Sequence, residues 1–386
     1  MTYTAPVASY SATLTGTYTS LTGIQSVSVS RGRQRFQDNF PQTSCVIELI
    51  PANSYALPLA VGQFIDVRDT NSASSPCYFA GVITDVSRKF QMPFNAGTGA
   101  APADRITITA TGTIGALGKT SFTNFSVTNN TAVSQIFGAC QTNGIFCSIL
   151  SPSSTKTSAQ TFTGGALDLV NTLLRTCQFF IDDIDLKRVV FEGLIDYLTV
   201  IFPAGQGNLD FVFSDAGTIG ASKFTNLEYL SSIQNVFSEV EVVPAGLATQ
   251  TATSGSPPYN TLVYNTFNEN TLDANNLAQF ILATQNLVAV TPFSIGTNTF
   301  VAPTCTNVSR LTTVDVLTAP VKTMNLGSAV TVEFRGTTVE AQIQGINTTF
   351  YPDHAAVQLY LSPSLGAQFI LDNATFGVLD QNKLGF

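Results

Sequence analysis

His354 is the single histidine of the chain. Ser–His–Asp or Cys–His catalysis would have to be built on it, because imidazole is the side chain that exchanges a proton near neutral pH. It lies in "FYPDHAAV", where the Pro-Asp pair reads as a turn between two strands, so a structural place is expected for it. "IDDID" (181–185) offers Asp182, Asp183 and Asp185 to a hard cation. Neighbouring carboxylates on a strand point to opposite faces, and the glycine of a calcium loop is missing, so a solvated hairpin turn is expected there. "GTGAAPAD" has glycines but not the Lys and Ser or Thr that a phosphate loop sets after them. Paired acids for glycoside hydrolysis leave no signature in spacing. Charged residues are few, however, and none sits in a recognisable site. The chain is read as a protein that is not an enzyme, with no catalytic residue, no cofactor and no metal.

The elements that would position such residues are mostly strands. "RITITATG" (105–112) alternates, with Ile106, Ile108 and Ala110 on one face and Thr107, Thr109 and Thr111 on the other. "SCVIELI" (44–50) places Cys45, Ile47 and Leu49 together. "SAVTVEF" (328–334) does so with Val330, Val332 and Phe334, and "AVQLYLS" (356–362) with Val357, Leu359 and Leu361. Short spacings broken by Gly, Pro, Asn and Asp argue for antiparallel sheets closing into barrels or sandwiches. Helical periodicity occurs at 131–144, with Thr131 as N-cap, at 165–177, and at 273–288 starting from Asp273. "FFIDDIDLKRVVFEGL" (179–194) reads as strand, turn, strand, so residues 121–205 are expected to form a small α/β domain.

Charged residues make up 11% of the 386, against about 25% in an ordinary soluble domain. Thr, Ser, Asn and Gly fill their place. Such a surface suits a protein that sits inside an assembly, or a β-rich protein whose exposed positions favour hydroxyls. A net charge of −8 with scattered bases excludes a nucleic-acid footprint. Residues 1–20 hold no Lys, no Arg and no apolar run, so no signal peptide is expected, and no uncharged run reaches the roughly 20 residues of a membrane span. The six cysteines (45, 77, 140, 147, 177 and 305) form no CxxC pair and are read as buried reduced thiols.

The two ends of the chain echo one another. "VGQFIDV" (61–67) matches "LGSAVTV" (326–332), pairing Gly62 with Gly327, Ile65 with Val330 and Val67 with Val332. "FAGVI" (79–83) is matched to "IQGIN" (343–347), Gly81 to Gly345, and "IQSV" at 24 to "IQNV" at 233. Matches in the same order imply two copies of one barrel. The first copy carries an additional low-charge loop, 92–104, read either as a mobile hairpin tip or as a segment that orders against a neighbouring subunit.

"VQLYLSPSLGAQFILDNATFGVLDQNKLGF" (357–386) resembles the ending of the tail-hub proteins of tailed bacteriophages, and "VGQFIDV…FAGVITDVSRKF…DRITITATGTIGALGK" (61–119) is similar to their first barrel. The resemblance implies a mainly β chain with a smaller α/β part: two tail-tube-like antiparallel β-barrel domains flanking an α/β domain. The expected bounds are an arm at 1–17, a first barrel at 18–120, the α/β domain at 121–205, a second barrel at 206–364 with an inserted segment 245–305, and an apolar docking tail at 365–386. It further implies a homotrimeric baseplate hub in the virion tail tip, made in the host cytoplasm. Its partners would be a tail-tube or distal-tail protein above, a tip or spike protein below and a tape-measure protein in the lumen, with DNA passing through without specific binding. The alternatives are another tail fitting, such as a distal-tail ring or receptor-binding protein, or a carbohydrate-binding β protein.

The last 18 residues carry three Phe, one Ile and three Leu. Burying one such side chain stabilises by roughly 1.5–3 kcal/mol, so the end is expected to be docked, on its own second barrel or on an adjacent subunit. The expected interface residues are Phe369, Ile370, Leu371, Phe376, Leu379, Leu384 and Phe386, with Pro93 and Phe94 from the long loop.

Overall fold

The computed structural model describes residues 3–51, 57–72, 75, 77–90, 104–149, 155–183, 196–201, 211–216, 221–230, 237–255, 257, 260–285, 292–302 and 326–363. The expected interface residues of the tail and of loop 92–103, and with them Cys305 and Asp185, lie outside the described residues.

The chain opens with β1 (Val7–Ser11), β2 (Thr19–Ser20), β3 (Ile24–Gly32), β4 (Ser44–Leu49), β5 (Phe64–Arg68), β6 (Cys77–Lys89) and β7 (Arg105–Thr111). Then come α1 (Thr113–Gly118), β8 (Ser121–Val127), α2 (Ala132–Thr142), β9 (Ile145–Ile149), β10 (Gln160–Gly165), α3 (Ala166–Cys177), β11 (Phe180–Asp182) and β12 (Asp196–Ile201). The remainder is β13 (Val212–Ser214), β14 (Asn226–Glu228), β15 (Glu239–Pro244), β16 (Gln250–Thr253), β17 (Thr261–Thr266), α4 (Thr271–Gln285), β18 (Ser294–Asn298), β19 (Ala329–Phe334), β20 (Thr337–Phe350) and β21 (Ala355–Pro363).

The protein is mainly β. Thirteen strands share one sheet, in the order β14-β18-β21-β20-β3-β4-β7-β6-β5-β1-β2, with β19 and β13 branching from β20. The alternation seen in the sequence explains its faces: Cys45, Ile47, Leu49, Ile106, Ile108 and Ala110 are buried together, as are Val357, Leu359 and Leu361. Among the described residues no pairing joins the ends of either repeat, so the expected barrel closure is not seen.

The repeat is real, but its register differs from the sequence match. Gly62 N–H donates to Ile83 O and Ile83 N–H to Gln63 O; Gly327 N–H donates to Ile343 O and Ile343 N–H to Ser328 O. Both glycines turn the chain at positive φ, 90° and 79°. Ile83 is therefore the counterpart of Ile343. Gly81, opposite Ile65, corresponds to Ala341, opposite Val330, and not to Gly345. The upstream match also shifts. Val27 pairs with Ile47 and Leu227 with Ile295, so β3 corresponds to β14, and "IQNV" at 233 falls outside the described residues. Short identical words misled because a strand's facing pattern repeats every two residues, so several offsets preserve it.

Both repeats run in the same strand order, β3-β4-β7-β6-β5-β1 and β14-β18-β21-β20-β19-β13. They differ at the last place, where β1 is antiparallel to β5 but β13 is parallel to β19. Between β14 and β18 the second repeat carries β16-β15-β17 and α4, packed around Val240, Val242, Tyr264, Ala278 and Ile281. That insert begins with β15, before residue 245, and ends before β18, a main-sheet strand, so its elements are shifted from the expected 245–305 span.

Helices α2 and α3 sit where periodicity placed them, and Thr131 caps α2 by accepting from Ser134 N–H at 3.3 Å. Helix α4 begins two residues before Asp273, with Asn270 accepting the Asp273 N–H. The expected α/β domain has no core of its own. Leu169, Leu173, Ile136 and Phe180 share one apolar cluster with Ile295, Val330, Ile343 and Leu359 of the second repeat.

Candidate functional site

The two repeats meet edge to edge. The last six residues of β20 pair antiparallel with β3, from Gly345 opposite Gly32 to Phe350 opposite Val27. Neither glycine could carry a side chain there: a Cβ on Gly32 would lie 2.4 Å from Gln344 O, and one on Gly345 2.4 Å from Arg33 O. Phe350 crosses the junction to pack against Tyr78, the rings tilted with centroids 4.6 Å apart, and joins the core of the first repeat.

Polar groups pin the junction from beneath. The buried Arg31 guanidinium donates to Asp182 Oδ2 at 2.7 Å, linking β3 to β11. Arg33 donates to Gln344 Oε1 at 2.9 Å and lies 4.5 Å above the Phe40 ring and 5.2 Å above that of Phe180. A desolvated guanidinium over ring faces gains from the ring quadrupole. Asp183 accepts the Ile114 N–H at 2.8 Å, and Gly112 leaves room for it, since a Cβ there would be 2.3 Å from Asp183 Oδ2. Burial pushes the Asp183 carboxyl up to about 7, with Asp182 adding to the rise and Arg31 opposing it. The expected solvated turn is thus corrected: Asp182 and Asp183 are buried at 1% exposure, and the sequence held no signal for their partners, Arg31 at 151 residues from Asp182 and the Ile114 N–H at 69 from Asp183.

The opposite face of the joined sheet is polar, with more acids than bases. Ser28 and Thr349 hydroxyls meet at 3.2 Å across the junction, and Ser30 donates to Asn347 at 2.7 Å. Tyr360 and Gln358 of β21, Thr107, Thr109 and Thr111 of β7, and Asn226 of β14 share this face by register. Its charged positions by register include the acids Glu48, Asp85, Glu228, Glu333 and Glu340 and the bases Lys89 and Arg105, besides the buried Asp66–Arg68 pair.

Each half of the junction has a counterpart elsewhere that is not joined. Counting on from Ile83 and Ile343, Lys89 corresponds to Thr349 and Phe90 to Phe350. Among the described residues no strand pairs with β6 beyond Ile83 on the side away from β7, and β14 ends the sheet. Burial follows suit. Phe350 is 2% exposed but Phe90 54%; Leu326, which the Gly32 backbone covers, is 1% exposed but its counterpart Val61 64%. Tyr229, just beyond β14, is 44% exposed. None of these residues stood out in the sequence, where only a register-correct alignment of the repeats would have found them.

His354 lies in the turn expected from its neighbours. It stacks between Tyr351 and Phe300, and its Nδ1 lies 2.8 Å from Asp353 in the turn between β20 and β21. Cys45, Cys77, Cys140, Cys147 and Cys177 are buried free thiols. Among the described residues no three His, Cys, Asp or Glu side chains gather as a metal site, and no helix is long and apolar enough to cross a membrane.

No family model matches the chain, and no curated protein matches it. Solved structures do. A 43 kDa tail protein of prophage MuSo2 from Shewanella oneidensis superimposes with a TM-score of 0.62 at 11% identity, over 93% of this chain and 98% of its own. The tail protein from Neisseria meningitidis MC58 gives 0.60 at 11% identity, over 94% of this chain and 97% of its own. The chain has the fold of these phage tail proteins.

Proposed function

We propose that this chain is a non-enzymatic structural protein of a phage tail or baseplate, and that it acts as a hub. In this reading three copies form a ring of six alternating repeats between the tail tube and the tip. The observation that carries it is the junction of β20 with β3, which fuses two equivalent repeats into one sheet, while among the described residues no strand pairs with the matching edges of either. Contacts of this head-to-tail kind close into rings when the rotation permits. A chain bearing two similar repeats offers six similar edges to a sixfold tube while keeping threefold symmetry for the fittings below.

The polar face would line the lumen. Hydroxyls and amides with more acids than bases give exiting DNA little to hold, since each Lys or Arg set against a phosphate adds a salt-dependent attraction. On the same reading the tube or a distal-tail protein lies above, a tip or spike protein below and a tape-measure protein inside, in the virion. The test is the native mass of the purified particle, alone and in the tail tip. Three copies are expected; a hexamer of this chain, or a monomer that never self-associates, overturns the hub.

A further inference from the structure

We propose that Cys140 and Cys147 form a redox-closable pair, a latent cross-link between α2 and β9 that a small-molecule disulfide sets. The link lies within one subunit, so it goes beyond the hub reading and does not depend on it.

Helix α2 ends at Thr142 and β9 begins at Ile145, so only Asn143 and Gly144 separate them. Gly144 turns the chain at a φ of 71°, its N–H donating to Gln141 O at 2.9 Å, and the strand runs back along the helix. Cys140 stands two residues before the helix end and Cys147 two residues into the strand. With a rise of about 1.5 Å per helical residue and about 3.3 Å per strand residue, the two lie within about 4 Å of the same level. Both point inward, at 0% and 2% exposure, into the apolar cluster that holds Ile136, Ala139 and Ile145. Their thiols are hydrogen-bonded to one another. Other described thiols are committed to the main chain: Cys77 donates to Phe79 O at 3.2 Å and Cys177 to Leu174 O at 3.7 Å.

In the closing reaction one cysteine gives up its proton, and its thiolate attacks a sulfur of the small disulfide and expels one small thiolate. The second cysteine then gives up its proton, attacks the sulfur now bound to the protein and expels the other. The pair loses two electrons and two protons in all. One S–S bond forms in the protein and one breaks in the reagent, which leaves as two thiols. The neighbouring thiol and burial together hold Cys140 well above the usual thiol range, so little of the reactive thiolate is present while the fold is closed. The dithiol therefore persists until the end of α2 opens, where Gln141 and Thr142 are exposed and the last helical turn is least supported. Once set, the link ties α2 to β9 within the cluster that also holds Phe180 and Ile343 beneath the junction.

The test is made at equilibrium, so that slow access to buried thiols does not decide it. The full chain is refolded in glutathione buffers of graded ratio, quenched with acid and mapped by peptide mass, beside the same chain kept unfolded in denaturant. The 140–147 disulfide is expected to survive in the folded protein in buffers at least about tenfold more reducing than the unfolded chain tolerates. Because the two preferences close one thermodynamic cycle, the oxidised protein should favour the folded state by the same factor over the reduced one in denaturant titrations. Cys177→Ala should leave the redox titration unchanged, and Cys147→Ala should remove the disulfide at Cys140. A folded protein whose pair is reduced as easily as that of the unfolded chain, or more easily, overturns the cross-link, and so does a disulfide between Cys45 and Cys77 in its place. Each outcome is independent of how many copies the particle holds, so the hub reading stands or falls separately.

Discussion

The two repeats place one structural position in opposite surroundings. In the second, Phe350 and Leu326 are 2% and 1% exposed because β3 lies against them; in the first, Phe90 and Val61 are 54% and 64% exposed. The hydrogen bonds around Ile83 and Ile343 are otherwise the same. The strand contact that buries Phe350 and Leu326 is thus present on one side only among the described residues. The difference separates what holds the subunit together from what is left for assembly.

The largest effect that would break this comparison comes from truncating the two phenylalanines. Phe350→Ala removes a ring packed against Tyr78 in the first repeat's core and should cost about 3–5 kcal/mol, read as a lower denaturant midpoint. Phe90→Ala should change the midpoint of the isolated subunit by no more than about 0.5 kcal/mol. It should nonetheless weaken self-association in sedimentation. Equal costs at both positions would mean that the repeats are not divided in this way.

How much of this was legible in the sequence follows from the range of the interactions. Strand faces set by alternation, the N-cap of α2 and the turn before Ala355 are legible, because each depends on residues a few places apart. The repeat was found from Gly62 and Gly327, whose positive φ fixes their type. Its register was not, because short words slip along a strand without changing which face is apolar. The Arg31–Asp182 pair and the Phe40–Arg33–Phe180 stack join distant segments, and no local pattern marks them. Asp182 and Asp183 were therefore assigned to solvent, the usual place for an unpaired acid.

Asp183 sharpens the comparison from the closed side, since it helps hold the joined repeats to α1. Its carboxyl lies near 7 when folded and near 3.8 when free, so the native state binds the extra proton between those values. Stability should be full below about pH 4 for this group and fall as pH rises through 7, by on the order of 4 kcal/mol in total. Asp183→Asn keeps an oxygen for the Ile114 N–H and removes the charge. The variant should lose this part of the pH dependence and match or exceed the natural protein at pH 8, in denaturant titrations at several pH values. A pH slope between 5 and 8 that survives the substitution would place the titration elsewhere.

The smallest effect separates the two equivalent turns. Gly62 and Gly327 share a positive φ, so an alanine at either should cost about 1 kcal/mol in backbone strain. Their surroundings differ. No atom lies within 4 Å of a Cβ built on Gly62, whereas one on Gly327 meets the Phe180 ring at 3.0 Å. That ring cannot easily give way, being held edge-on against Phe40 at 5.6 Å and under Arg33. Gly327→Ala should therefore cost at least about 1 kcal/mol more than Gly62→Ala, the overpacking adding to the strain. The excess should vanish when Phe180→Leu is introduced beside it, since a smaller side chain leaves space for the methyl. Equal costs in the two turns would show that the packing beneath the second repeat yields freely. The closed junction, with the middle segment wedged under it, would then be no more rigid than the open edge at β6.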